Sequence, residues 1–265
     1  MHNELFTIGP VTVYGYGLMI AIGIFMAYLT AEYRSKKLGL QSELVFSIVV
    51  YGVVSGFLGS KILYFLTILP QIIEDPSLLT QLSDGWVVYG GILGGILGAY
   101  IYLCIKKQRF IDYFDMAMPS VALAQGFGRI GCFLAGCCYG EETDSIFSVT
   151  FHTSEYAPND VALVPTQLLS SGLNFIHFFV LFWIAKHTKR RGVVGGCYLV
   201  FYSVGRFIIE FFRGDLNRGA IGVLSTSQFI ALFVFAAGII LLVWAFRQEP
   251  KEEVTYGGKS VEEKE

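Results

Sequence analysis

Apolar residues run through this chain in long blocks, with polar residues collected between them. Seven blocks, near 12–32, 43–69, 86–105, 113–136, 166–185, 194–212 and 225–246, are long enough to cross a bilayer. A membrane-spanning helix needs about 20 mostly apolar residues. The pattern predicts an all-α polytopic membrane protein with seven transmembrane helices. One transmembrane domain covers 1–247, and the polar, Glu-rich remainder, 248–265, reads as a disordered tail. Composition supports the class: only 15% of residues are charged, against about 25% in soluble domains. The net charge of −2 adds little.

The positions of the positive charges add more. The connection after the first block carries Arg34, Lys36 and Lys37, and the one after the third carries Lys106, Lys107 and Arg109. The one after the fifth carries Lys186, Lys189, Arg190 and Arg191. The alternate connections have no Lys or Arg in 70–85 or 140–164, and only Arg213 and Arg218 in 213–218. Short positive loops stay on the cytoplasmic side. The N-terminus is therefore expected outside, and the C-terminus, with Arg247 and Lys251, in the cytoplasm. The first ten residues hold Glu4 and no Lys or Arg, so the first block reads as a retained helix, not a cleaved leader.

Small residues recur at helical spacing, at Gly90, Gly94 and Gly98 with Gly91 and Gly95 beside them, and at Gly52, Gly56 and Ser60. Such rows let helices approach closely. Gly90 and Gly91 would also leave room for a ligand. The five cysteines show no metal-type spacing, and no metal is expected. Cys104 and Cys197 read as apolar fillers, while Cys137 and Cys138 fall at the outer end of the fourth block.

Against this background a few polar residues stand out. Arg129 sits among small and apolar neighbours, with no acid within ten positions. An arginine at membrane depth costs about 2.5–3.5 kcal/mol on insertion scales, which points to an anion held there. Gln125, Arg129 and Cys132 share one helical stripe. Pro119 is expected to bend or start that helix, with Asp115 as a cap or network member. The glycines at 126, 128, 131 and 136 suggest a broken or re-entrant segment. Arg206, Glu210 and Arg213 form a second stripe at i, i+4 and i+7. Arg213 is expected to reach water by snorkelling, and Glu210 to orient Arg206. The charge bias places Arg129 and Arg206 in the outer half of the membrane, where planar guanidiniums suit a phosphate. Tyr16 and Tyr89 lie at the same level. His177 reads as a hydrogen-bonded core histidine, and His152 and His2 as solvated.

Gly128-Arg129-Ile130-Gly131-x-Phe133-x-x-Gly136-x-x-Tyr139-Gly140 resembles the signature of the prolipoprotein diacylglyceryl transferase family. Tyr16-Gly17-Leu18-Met19, Tyr89-Gly90-Gly91 and Gly205-Arg206-Phe207-x-x-Glu210-Phe211-Phe212-Arg213 are similar to its other landmarks, in the same order. The resemblance covers roughly 12–215. It implies a multi-pass enzyme of the bacterial cytoplasmic membrane. That enzyme moves the diacylglyceryl group of phosphatidylglycerol to the lipobox cysteine of a prolipoprotein signal peptide, and glycerol phosphate leaves. No cofactor and no nucleic-acid partner are implied. Arg129, Arg206, Tyr89 and Glu210 would be catalytic. Arg129, Arg206, Tyr16, Gly90, Gly91, Cys132 and Gly140 would bind the lipid. Three positions depart from the family's usual residues: Tyr89 stands for a histidine, Cys132 for an asparagine and Cys137 for an acid. Two other readings fit the same arginines: a homologue with a different acceptor, and a non-catalytic lipid- or anion-binding membrane protein.

Overall fold

The computed structural model describes residues 4–9, 11–80, 85–215 and 219–249. His2, Lys251 and the tail from 250 lie outside them. All seven apolar blocks are helices: α1 (Gly15–Lys37), α2 (Glu43–Thr67), α4 (Val88–Ile105), α5 (Phe110–Ala135), α6 (Thr166–His187), α7 (Val193–Ile209) and α8 (Thr226–Arg247). A six-residue helix, α3 (Leu69–Glu74), follows α2. A 3-10 turn, Glu210–Phe212, extends α7. Helices suit this solvent because a helix satisfies its own backbone hydrogen bonds, which lipid cannot do.

Among the described residues, six helical segments are long and apolar enough to cross a membrane: α1, α2, α4, α6, Val193–Phe212 and α8. In α8, the apolar side chains of Phe233, Ile240 and Phe246 are exposed, as a lipid-facing helix requires. The 26-residue α5 is the exception. It buries Asp112, Asp115 and Ser120 and carries Arg129, and this polar load sets it apart from the other long helices.

The pattern of apolar blocks missed three two-stranded antiparallel ribbons. These are β1 (Glu4–Ile8) with β2 (Val11–Tyr14), β3 (Val149–Thr150) with β4 (Ala162–Leu163), and β5 (Ala220–Ile221) with β6 (Leu224–Ser225). They are two to five residues long, so they leave almost no periodic signal. Ser225 then starts α8 through a capping box: its Oγ accepts from Gln228 N at 3.1 Å, and Gln228 Oε1 accepts from Ser225 N at 3.1 Å.

The chain forms two compact units, 32–113 and the combination of 1–31 with 114–265. In the smaller unit α2 packs on α4 through the predicted small residues. A Cβ on Gly90 would stand 2.4 Å from Gly59 O, and one on Gly94 would stand 2.4 Å from Ser55 O and 3.0 Å from Gly59 Cα. These neighbours are backbone and cannot rotate away. Gly94→Ala is therefore expected to lower stability by about 1–3 kcal/mol, the usual scale for overpacking, as read by thermal unfolding in detergent. Lys61 is buried here, its Nζ 4.9–5.2 Å from the ring centres of Tyr64, Phe65 and Trp86.

In the larger unit α5, α6 and α7 share a core of Met118, Ala122, Leu181, Val194 and Tyr198. Two expectations for α5 are corrected. The helix starts at Phe110, nine positions before Pro119, so the proline neither starts nor ends it. It also runs unbroken past Gly126, Gly128 and Gly131. Packing against α6 compensates for the weak helix propensity there: Ser171 Oγ donates to Gly126 O at 2.9 Å, and the Phe175 ring fills the space beside Gly126.

Asp115 serves a helix other than its own. Its Oδ2 accepts from Gly192 N at 2.6 Å and its Oδ1 from Gly195 N at 2.8 Å, at the start of α7. A buried carboxylate there satisfies free amides and meets the positive end of the helix dipole. Two charge-assisted bonds are worth about 3 kcal/mol or more. Asp115→Ala is expected to lose about that much in unfolding measurements, and Asp115→Asn less, because the amide keeps one acceptor.

A candidate anion-binding active site

One cavity of about 520 Å³ lies within the larger unit. Its walls come from α1, α5, α6 and α7. The predicted stripe on α5 holds: Gln125, Arg129 and Cys132 all line the cavity, because residues four and three apart share a helix face. Tyr16 from α1 and Arg206 from α7 join them.

The two arginines differ in their partners. Arg206 Nη2 lies 3.0 Å from Glu210 Oε2 and donates to Ser227 Oγ at 2.7 Å. Glu210 also lies 3.9 Å from Arg213 Nη1. Arg129 has no carboxylate partner among the described residues. It is a cation in a cavity wall with no carboxylate to neutralise it among the described residues, which is what an incoming anion needs.

Arg213 corrects an expectation. It is buried, not snorkelling. Asp215, two residues on, receives a two-pronged grip, Nε to Oδ1 at 3.0 Å and Nη2 to Oδ2. A paired guanidinium can stay inside where a bare one would seek water.

Gly140 is not a cavity wall. It forms a backbone junction, donating to Val164 O at 3.1 Å and bridging to Arg213. Gly214 and Phe212 crowd it closely. Tyr89, Gly90 and Gly91 belong to the smaller unit, at the start of α4. There Gly90 is occupied with α2 packing.

His177 and Asn174 of α6 and Tyr202 of α7 also line the cavity. The sequence pattern reads His177 as a hydrogen-bonded core histidine and gives Asn174 and Tyr202 no role. His177 stacks on Tyr198 with ring centres 5.3 Å apart, and its buried Nε2 has no hydrogen-bond partner among the described residues. A lone histidine in an apolar span was the available signal, but it looks the same whether it packs or works. His152 is exposed as expected, with Nδ1 2.7 Å from Asp160 Oδ1.

The cysteines bring a larger correction. Cys132, Cys137 and Cys138 place their sulfur atoms within 4.8 Å of one another. Gly136 (φ +76°) ends α5 in a left-handed turn, and Cys138 (φ +59°) makes a second one. The chain doubles back and returns two thiols to the face of the third. Hydrogen bonds from Cys132 and Cys137, with the guanidiniums of Arg213 and Arg129 nearby, lower the Cys138 thiol pKa from its usual value. Its neighbour Cys137 is pushed up by hydrogen bonds to Cys132 and Cys138 and by burial.

The family model described as prolipoprotein diacylglyceryl transferase matches residues 3–244. The chain belongs to the prolipoprotein diacylglyceryl transferase family. A phosphatidylglycerol–prolipoprotein diacylglyceryl transferase of Clostridium tetani is 44% identical over 241 residues, covering 91% of this chain and 96% of the relative. A second, from Clostridium perfringens, is 44% identical over 232 residues, covering 86% and 90%. One from a Marinomonas species is 32% identical over 258 residues, covering 92% and 94%. The family match covers every helix that lines the cavity, so within this family Arg129 and Arg206 stand on a common scaffold.

Proposed function

We propose that this chain is a phosphatidylglycerol–prolipoprotein diacylglyceryl transferase of the bacterial cytoplasmic membrane. It crosses the bilayer seven times, α5 included, with the N-terminus outside and the C-terminus in the cytoplasm. The observation that carries the reading is Arg129, a cation without a carboxylate partner among the described residues in a cavity it shares with Arg206.

The reaction replaces a carbon–oxygen bond with a carbon–sulfur bond. The lipobox thiolate attacks the glycerol carbon that carries the phosphate. That C–O bond breaks, and glycerol phosphate leaves with one more negative charge on its phosphate. Arg129 and Arg206 stabilise this growing charge, the form of stabilisation that most lowers such barriers. Glu210 and Ser227 fix the fork of Arg206. Tyr16 and Cys132 bound the lipid site, with Gly90 and Gly91 as further lipid-binding candidates at the start of α4.

The thiol must also lose a proton. His177 is the base candidate within the cavity: it lines the wall, and its buried Nε2 is uncommitted among the described residues. Glu210 is committed to Arg206, and a tyrosine such as Tyr89 is a weak base at neutral pH. The test is conversion of a lipobox peptide to its thioether-lipid form by the purified protein in phosphatidylglycerol vesicles. His177→Gln should lower turnover by roughly 10²–10⁴-fold, while Tyr89→Phe keeps it. The reverse pattern moves the base to Tyr89. No product from the unaltered protein, beside an active relative, refutes the reading.

A further inference from the structure

Three cysteines gather at the end of α5, and their thiol chemistry has no task in this reaction, in which Cys132 only lines the lipid site. The geometry of the turn is closely determined. Cys137 N donates to Cys132 O at 3.1 Å, and Gly136 N to Phe133 O at 3.2 Å. The carbonyls on the far side are held as well. Gln167 Nε2 donates to Cys137 O at 2.9 Å, and Thr166 Oγ1 to Cys138 O at 2.8 Å. Both donors are buried residues of α6. Each thiol-bearing position is thus tied down by backbone bonds, and the sulfur atoms converge with little freedom to separate.

We propose that Cys132, Cys137 and Cys138 form a trithiolate site for a zinc ion. Zinc takes thiolates at about 2.3 Å in a tetrahedral shell, which places the sulfur atoms about 3.8 Å apart. The three here lie within 4.8 Å, so closing the shell asks for movements of about 1 Å or less. Soft thiolates select zinc and similar cations over magnesium or calcium. Three thiolates on Zn²⁺ leave one net negative charge, and Arg129 lines the same cavity wall as Cys132. Gln167 and Thr166 hold the backbone that carries two of the three ligands.

A disulfide is the competing use of these thiols, but it would engage two of the three. Neighbouring residues such as Cys137 and Cys138 rarely meet the geometry of one. Because Cys132 also lines the cavity, the ion stands at the cavity wall, with its fourth position left to an exogenous ligand. The proposal does not depend on the transferase reading.

The test uses the full-length protein in detergent, reduced, stripped with a chelator and then titrated with Zn²⁺ against a chromogenic competitor. One zinc per chain is expected. Cys137→Ser and Cys138→Ser should each weaken binding by more than the 10–100-fold typical of losing an outer-shell partner. Alkylation of the unaltered protein, counted by mass spectrometry, gives a readout that needs no variant to fold. Zinc should protect Cys132, Cys137 and Cys138 and leave Cys104 and Cys197 unchanged. Three results would each overturn the site: no stoichiometric zinc, binding unchanged in the serine variants, or a disulfide among the three in protein isolated without oxygen.

Discussion

Arg129→Ala is expected to reduce turnover of a lipobox peptide by about 10²–10³-fold, the range seen when one preorganised charge-stabilising donor is removed. The effect should appear in kcat more than in KM, because the phosphate carries more charge when the C–O bond breaks than when the lipid binds. Arg129→Lys should recover part of the rate, since a point charge remains but the planar fork is lost. Arg206→Ala should also be severe, and it has a second consequence: it leaves Glu210 without its closest cation. Arg129 has no such carboxylate among the described residues, so its substitution is the cleaner probe. Unimpaired turnover in Arg129→Ala would remove the anion clamp from the mechanism.

Glu210→Ala is expected to cost about 3–5 kcal/mol of stability, the scale for removing one partner of a buried ion pair. The Glu210 side chain is 2% exposed, and Arg206 and Arg213 are 15% and 7% exposed. Without the carboxylate, Arg206 would keep Ser227 and Arg213 would keep Asp215 among the described residues. The loss should appear in thermal unfolding in detergent even without substrate. Glu210→Gln should be milder, since the amide oxygen still accepts from Arg206. If Glu210→Ala unfolds like the unaltered protein but is inactive, Glu210 acts on the reaction and does not brace the fold.

The two arginine stripes illustrate how far local spacing reaches. Gln125, Arg129 and Cys132 were expected on one face, and all three line the cavity. Arg206 and Glu210 were expected to pair, and they lie 3.0 Å apart. Both predictions concern residues within one helical segment, where 3.6 residues per turn decides who meets whom. The expectations that failed concern partners elsewhere. Arg213 stays buried because a turn brings Asp215 to its fork. Asp115 caps α7, some eighty residues away in the chain. Pro119 reads as a bend or start and the α5 glycines as a break, but the helix begins at Phe110, and α6 packs against it beside Gly126.

The sequence by itself determined that this is a chain of long apolar helices carrying buried arginines, because lipid tolerates little else and charges the rest heavily. It also carried the resemblance that placed those arginines in a known reaction. Only the tertiary structure decided which arginine has no carboxylate to neutralise it among the described residues, that His177 opens onto the same cavity, and that three cysteines meet. Each of these depends on bringing distant segments together, or on two left-handed residues reversing the chain at Gly136 and Cys138. No periodicity records either event.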